Sequence, residues 1–103
     1  MEIGVQRQGS HIAVTLDGNI DTEGGQQLAE SLPDLSKMED VDLVTFDMSA
    51  VRTTTSSAIG KLMSFYKKLG ELGARMEIRG ISDVLHEQFT EIHLDKILPI
   101  HRE

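Results

Sequence analysis

Residues 43–62 read LVTFDMSAVRTTTSSAIGKL, and the arrangement of the whole chain follows from them. The first six residues, Leu43 to Met48, are mostly apolar and partly β-branched, which predicts a central strand covered on both faces. A polar turn follows, and an apolar pattern with helical spacing begins at Ala58 and Ile59. The stretch therefore predicts a strand, a loop and a helix in that order.

Five consecutive hydroxyl residues fill the turn: Thr53, Thr54, Thr55, Ser56 and Ser57. One Ser or Thr before a helix is enough to accept from backbone N–H groups that have no partner in the first turn. The remaining hydroxyls lie where the helix dipole favours negative charge, so a phosphate added there is well placed. Two interpretations follow: a surplus of helix-capping residues, or a phosphorylation switch at the end of the strand.

The rest of the chain alternates between strand and helix patterns, in the order β-β-α-β-α-β-α with a terminal extended segment. A hairpin turn is expected at Gly9-Ser10. The first helix should run from about Asp21 to Leu32, with Asp21 and Thr22 as possible caps and a kink or restart at Pro33. The later markers are a helix end at Gly73, a strand around Met76 and Ile78, a helix cap at Ser82 or Asp83, and an extended tail at 97–100. Because strands that alternate with helices need crossover connections, the later strands should be parallel.

The composition limits the possible functions. The chain has 103 residues, which suits one domain over residues 1–103. It has no Cys, which excludes disulfides, thiolate nucleophiles and Cys-ligated metals. The 17 acidic against 10 basic residues give nucleic-acid binding little electrostatic support. A signal-peptide pattern and a bilayer-spanning apolar run are both missing, so we expect a cytoplasmic protein without a membrane span.

No catalytic or metal-binding constellation is recognisable in the sequence. His86 and His93 are seven residues apart, too far for a paired metal-ligand motif, and we interpret them as surface or capping residues. His11 fits a solvated strand position. Asp47 lies near the end of the central strand, where open α/β sheets bind ligands, but a single acid there often bonds to turn amides. We therefore expect a protein that is not an enzyme and that needs no cofactor or metal.

Several short motifs resemble the STAS family, the domain of sulfate transporters and anti-sigma factor antagonists. In that family a strand ending in D-[LMF]-S-x-V is followed by D-S-[ST]-G-L-G and a helix. Here FDMSAV at 46–51 matches the first motif, and TSSAIG at 55–60 aligns with the second without gaps. Further similarity lies at GNID (18–21), LGELG (69–73) and LDKILPI (94–100), so nearly the whole chain is covered.

The resemblance implies a STAS-like α/β fold. Its mixed sheet would have about four to five strands, an N-terminal hairpin followed by parallel strands, with about three to four helices largely on one face. For the stand-alone branch, it implies an anti-sigma factor antagonist controlled by partner switching. The unphosphorylated domain binds an anti-sigma factor, usually a serine kinase with the ATPase fold of histidine kinases, and phosphorylation breaks that complex.

Site residues follow from the resemblance by position. The phosphoacceptor is Ser56, with Ser57 and Thr55 as alternatives. The implied partner-binding residues are Asp21, Asp47, Ser49, Arg52, Thr54, Thr55, Ser57 and Ile59. The chain departs from the family pattern at Thr55, where an acid is usual, and at Ala58, where glycine is usual. Either departure is consistent with a different kinase, another acceptor or loss of the switch.

Two other functions stay open at this point. The first is an accessory STAS subunit in a larger assembly such as a phospholipid-transport ATPase. The second is the binding of a small ligand at the strand end, which would stabilise the folded protein. The sequence does not specify an oligomeric state.

Overall fold

The sheet and helices follow the predicted order in the computed structural model, which describes residues 2–36, 40–97 and 100–101. The strands are β1 (Glu2–Gln8), β2 (His11–Asp17), β3 (Leu43–Ala50), β4 (Arg75–Arg79) and β5 (Ile100–His101); the helices are α1 (Thr22–Ser36), α2 (Ser56–Glu71), α3 (Asp83–Glu91) and a 3₁₀ turn at Leu94–Lys96. The sheet order is β1-β2-β3-β4-β5. β1 is antiparallel to β2, and the other neighbouring pairs are parallel, as predicted.

All three helices pack against the same face of the sheet. Every second residue of the three middle strands is buried there, as in Val14 of β2, Phe46 of β3 and Ile78 of β4. Side chains from each helix join this core, namely Leu28, Ala58, Leu62, Phe65, Leu69, Leu85 and Phe89. The rings of Phe46 and Phe65 meet edge to face with 6.0 Å between centroids. This packing fixes α2 over the central strand.

The prediction that β3 is covered on both faces is wrong. Its second face presents the alternate residues Thr45, Asp47 and Ser49, of which Thr45 is buried, Asp47 half-buried and Ser49 exposed. Their period of two is the pattern of a strand with one apolar and one polar face. We call the side of the sheet opposite the helices the open face.

The end of α2 lies where the sequence predicts it, whereas α1 ends later than predicted. α2 ends as expected: Gly73 has φ +80°, and the N–H groups of Gly73 and Ala74 donate to the carbonyls of Gly70 and Leu69. α1 continues through Pro33 to Ser36 instead of stopping near Leu32. Pro33 has no N–H to donate within α1, and the helix nevertheless continues for three residues beyond it.

The tail is only partly described. Ile100 and His101 extend the sheet beside β4, while Leu98 and Pro99 of the predicted extended segment lie outside the described residues. None of the described helices is long and apolar enough to cross a bilayer.

Candidate functional site

The five residues Thr53 to Ser57, which we call the hydroxyl turn, have different structural roles. Thr55 is the N-cap of α2, with extended backbone (φ −89°, ψ 158°), and its Oγ1 accepts from the backbone N–H of Ala58 at 3.2 Å. Thr54 is buried, at 8 % exposure. Thr53, Ser56 and Ser57 are exposed. The capping interpretation is therefore confirmed for Thr55, and it leaves Ser56 and Ser57 without a capping role.

Ser56 and Ser57 occupy the first two positions of α2. The amide of Ala58 is taken by the cap, and the amide of Ile59 donates to the carbonyl of Thr55 at 3.1 Å. The backbone N–H groups of Ser56 and Ser57 have no acceptor within the part of the chain that the structure describes. The first turn also contains no acidic residue. The positive end of the helix dipole is thus uncompensated beside two exposed hydroxyls.

A second loop is paired with the hydroxyl turn. Ile20, between β2 and α1, forms a parallel bridge with Thr54. Its N–H donates to the carbonyl of Thr53 at 2.9 Å, and its carbonyl accepts from the N–H of Thr55 at 3.0 Å. The parallel pairing of β2 with β3 therefore resumes past both strand ends. It brings the beginnings of α1 and α2 side by side.

The start of α1 is shaped for this close approach. The carboxylate of Asp21 accepts from the N–H of Gly24 at 2.8 Å and so caps the helix, as predicted. Gly24 and Gly25 are both buried. A Cβ placed on Gly25 would lie 3.5 Å from the Cβ of Ala58, so the two helices touch at this point. Ala58 itself is fully buried within α2, where an alanine fits.

The third helix also contacts the hydroxyl turn. Gln88 of α3 is half-buried, and its Nε2 donates to the carbonyl oxygen of Thr54 at 3.2 Å. No sequence pattern indicates this contact, since the two residues are 34 positions apart and a glutamine in a helix belongs to no recognisable motif. Gln88 is the residue near the site that sequence reasoning missed. Ile20 lies in the GNID motif, but that motif does not indicate its pairing with Thr54.

The remaining predicted residues do not all gather at the start of α2. Thr55 and Ser57 lie at the start of α2, and Asp21 lies beside them at the start of α1. Arg52 is exposed on the loop that precedes α2. Thr54 at 8 % exposure and Ile59 at 6 % are packing residues that offer a partner little side-chain area.

Asp47 and Ser49 belong instead to the open face of the sheet. The carboxylate of Asp47 accepts from the backbone N–H of Ser49 at 2.9 Å, which is the turn-bonding role that the sequence also suggested. With His11, Thr45 and Arg79 they line a shallow groove of about 400 Å³. His11 is half-buried there, not fully solvated as expected, because its Nε2 lies 2.7 Å from the hydroxyl oxygen of Thr45.

The described residues contain no cluster of side chains that could bind a metal ion. No group of three His, Asp or Glu side chains lies close enough together to hold an ion among those residues. His86 is half-buried in α3, while His93 follows the helix end with φ +60°, so the two do not share a helix.

The comparisons with known proteins agree with this fold. The model of the STAS domain matches residues 2–103, and the chain therefore belongs to the STAS family. Among curated proteins, none matches it in sequence.

Solved structures of anti-sigma factor antagonists share the fold. One from Mycobacterium paratuberculosis superposes with a TM-score of 0.87 at 20 % identity, covering 99 % of this chain and 86 % of its own. An anti-sigma-factor antagonist (STAS) domain protein from Planctomyces limnophilus gives 0.84 at 17 % identity, covering 98 % and 90 %. The Bacillus cell fate determinant SpoIIAA in its phosphorylated form gives 0.74 at 13 % identity, covering 96 % and 90 %.

Proposed function

We propose that this protein is an anti-sigma factor antagonist that works by binding, not catalysis, in the cytoplasm. Its partner would be an anti-sigma factor with the ATPase fold of a serine kinase. The partner docks on what we call the switch surface, formed by Asp21, Arg52, Thr55, Ser56 and Ser57. Phosphorylation of Ser56 releases it.

The observation that carries the proposal is the position of Ser56. It is exposed at the first position of α2, next to a cap that Thr55 already provides. A phosphate on Ser56 therefore removes no interaction that the fold depends on. It adds a charge of about −1.5 to −2 at a helix end that favours negative charge, so the modified protein stays folded.

Partner release follows from the same charge. A doubly charged, strongly hydrated group in the middle of a docked surface must be desolvated, and it repels acidic groups across the interface. The phosphorylated SpoIIAA structure, which shares this fold, supports a phosphorylation-dependent antagonist.

The proposal is tested by phosphorylation in vitro. Each ATPase-fold serine kinase of the source organism is incubated with this protein and ATP, and the modified residue is mapped by mass spectrometry. We expect phosphate on Ser56 in the wild type and in Ser57→Ala, and none in Ser56→Ala. Ser64→Ala is a matched control, because Ser64 is an exposed serine two turns further along α2.

One other result would change the acceptor residue, and another would replace the proposed function. Phosphate on Ser57 or Thr55 instead would move the acceptor and leave the mechanism in place. A pull-down that recovers transport-ATPase subunits and no sigma-regulatory protein would favour an accessory-subunit role.

A further inference from the structure

The peptide group between Thr54 and Thr55 is held at both of its polar ends. Its N–H, on Thr55, donates to the carbonyl of Ile20 at 3.0 Å. Its carbonyl, on Thr54, accepts from Nε2 of Gln88 at 3.2 Å. The last peptide before the helix cap is therefore fixed between the β2–α1 loop on one side and α3 on the other.

Packing of α3 against the core sets the position of Gln88, but the hydrogen bond from Gln88 to Thr54 adds little to the stability of that core. α3 is placed by Leu85 and Phe89, which are fully buried, and by the cap of Ser82, whose Oγ accepts from Leu85 at 3.2 Å. None of these anchors requires Gln88. The cost of ordering a glutamine side chain offsets part of what one neutral hydrogen bond contributes, so the contact makes only a modest contribution to the stability of the fold.

What the contact does fix is the direction of the chain at the cap. Thr55 must keep extended backbone for its Oγ1 to reach Ala58, and Ser56 follows at once. A loop that is held before binding spares the partner the entropy cost of ordering it. Without the Gln88 bond, the Thr54–Thr55 peptide keeps its Ile20 contact but loses its contact with α3, so the orientation of Ser56 is less closely fixed.

We propose that Gln88 is a positioning residue for Ser56, which it orients through the Thr54 carbonyl so that the partner kinase meets a preformed switch surface. The inference rests on the proposed function and extends the working site to α3. Gln88 need not touch the partner to act in this way.

The test compares three variants with the wild type. Gln88→Met keeps the side-chain length and removes the donor, and Gln88→Lys restores a donor. Gln27→Met makes the same change at an exposed glutamine of α1. The affinity for the anti-sigma kinase that phosphorylates the wild type is measured by calorimetry, at raised ionic strength so that the added lysine charge is screened.

We expect Gln88→Met to weaken binding by about threefold to tenfold, the effect of one lost positioning hydrogen bond. Gln88→Lys should recover most of the affinity, and Gln27→Met should bind like the wild type. Backbone order parameters measured by NMR separate positioning from stability: in Gln88→Met the order parameters of the Thr55 and Ser56 amides should fall, while that of the Phe46 amide in the central strand keeps its wild-type value.

Contrary results fall into three kinds. Unchanged affinity in Gln88→Met overturns the inference and leaves the proposed function standing. Wild-type order parameters at Thr55 and Ser56 in a Gln88→Met variant that binds more weakly show that Gln88 does not act by positioning, and overturn it as well. A wild type that binds no anti-sigma kinase overturns the proposed function, and this inference with it.

Discussion

The backbone N–H of Thr55 donates to the carbonyl oxygen of Ile20 at 3.0 Å. This bond joins the loop before α1 to the loop before α2, beyond the point where β2 and β3 stop pairing. Thr55 is also the cap of α2, so one residue both starts that helix and ties it to its neighbour. A partner that docks at the start of α2 therefore meets two loops as one surface.

The cap predicts a stability change at Thr55. Thr55→Ala removes the acceptor for the Ala58 amide and should lower the free energy of unfolding by about 1 kcal/mol. Thr55→Asp keeps an acceptor and should leave stability near the wild-type value. Urea unfolding measures both, with Thr53→Ala, an exposed neighbour, as the control. Equal losses in Thr55→Ala and Thr53→Ala would show that the cap contributes nothing.

A negative charge at Ser56 should not unfold the protein. Ser56→Glu places a carboxylate in a first turn that has no acid, and should raise the free energy of unfolding by about 0.3–1 kcal/mol. Ser56→Lys should lower it by a similar amount. Thermal melts at low salt test this pair. If Ser56→Glu melted well below the wild type, partner release would be an unfolding effect and not a surface effect.

Gly80 supports the turn after β4 by its backbone conformation. It has φ +70°, and a Cβ there would lie 3.1 Å from a carboxylate oxygen of Asp47 and 3.2 Å from Cβ of Ser49. Gly80→Ala should therefore cost about 1–2 kcal/mol or more. Gly70→Ala is the matched control, because Gly70 lies in α2 with open space around it, and should instead gain about 0.4–1 kcal/mol. Chemical denaturation distinguishes the two signs.

The contact between α1 and α2 limits the size of residue 25. An alanine at Gly25 would make an ordinary contact with Ala58, so Gly25→Ala should fold normally. Gly25→Val carries two further methyl groups into the same contact and should cost about 1–3 kcal/mol by pushing the helices apart. Calorimetric melting of both variants checks the difference. Two variants of equal stability would mean that the helices do not pack tightly there.

Local patterns predicted the elements of the fold well. The cap at Ser82, the cap at Asp21 and the left-handed Gly73 each depend on residues within one helical turn, and each was found where the sequence indicated. The polar alternation of Thr45 and Asp47 was also present in the sequence, but it was outweighed by the apolar residues between them. Hence the open face was not anticipated.

The contacts that shape the site were beyond local reasoning. Thr54 meets Ile20 and Gln88 only after the sheet and α3 have assembled, and each pair is separated by 34 residues of chain. Neither Ile20 nor Gln88 belongs to a residue type that marks such a contact. The family resemblance named Ser56, while the residues that hold its loop depend on the tertiary fold.

The most direct test of the account is the affinity of the anti-sigma kinase for two forms of this protein, unmodified and stoichiometrically phosphorylated on Ser56. Titration calorimetry with a nucleotide-bound kinase gives both dissociation constants, and Ser57→Ala, phosphorylated in the same way, is the control. The account predicts that phosphorylation weakens binding at least tenfold, which corresponds to about 1.4 kcal/mol. Equal dissociation constants for the two forms would contradict it.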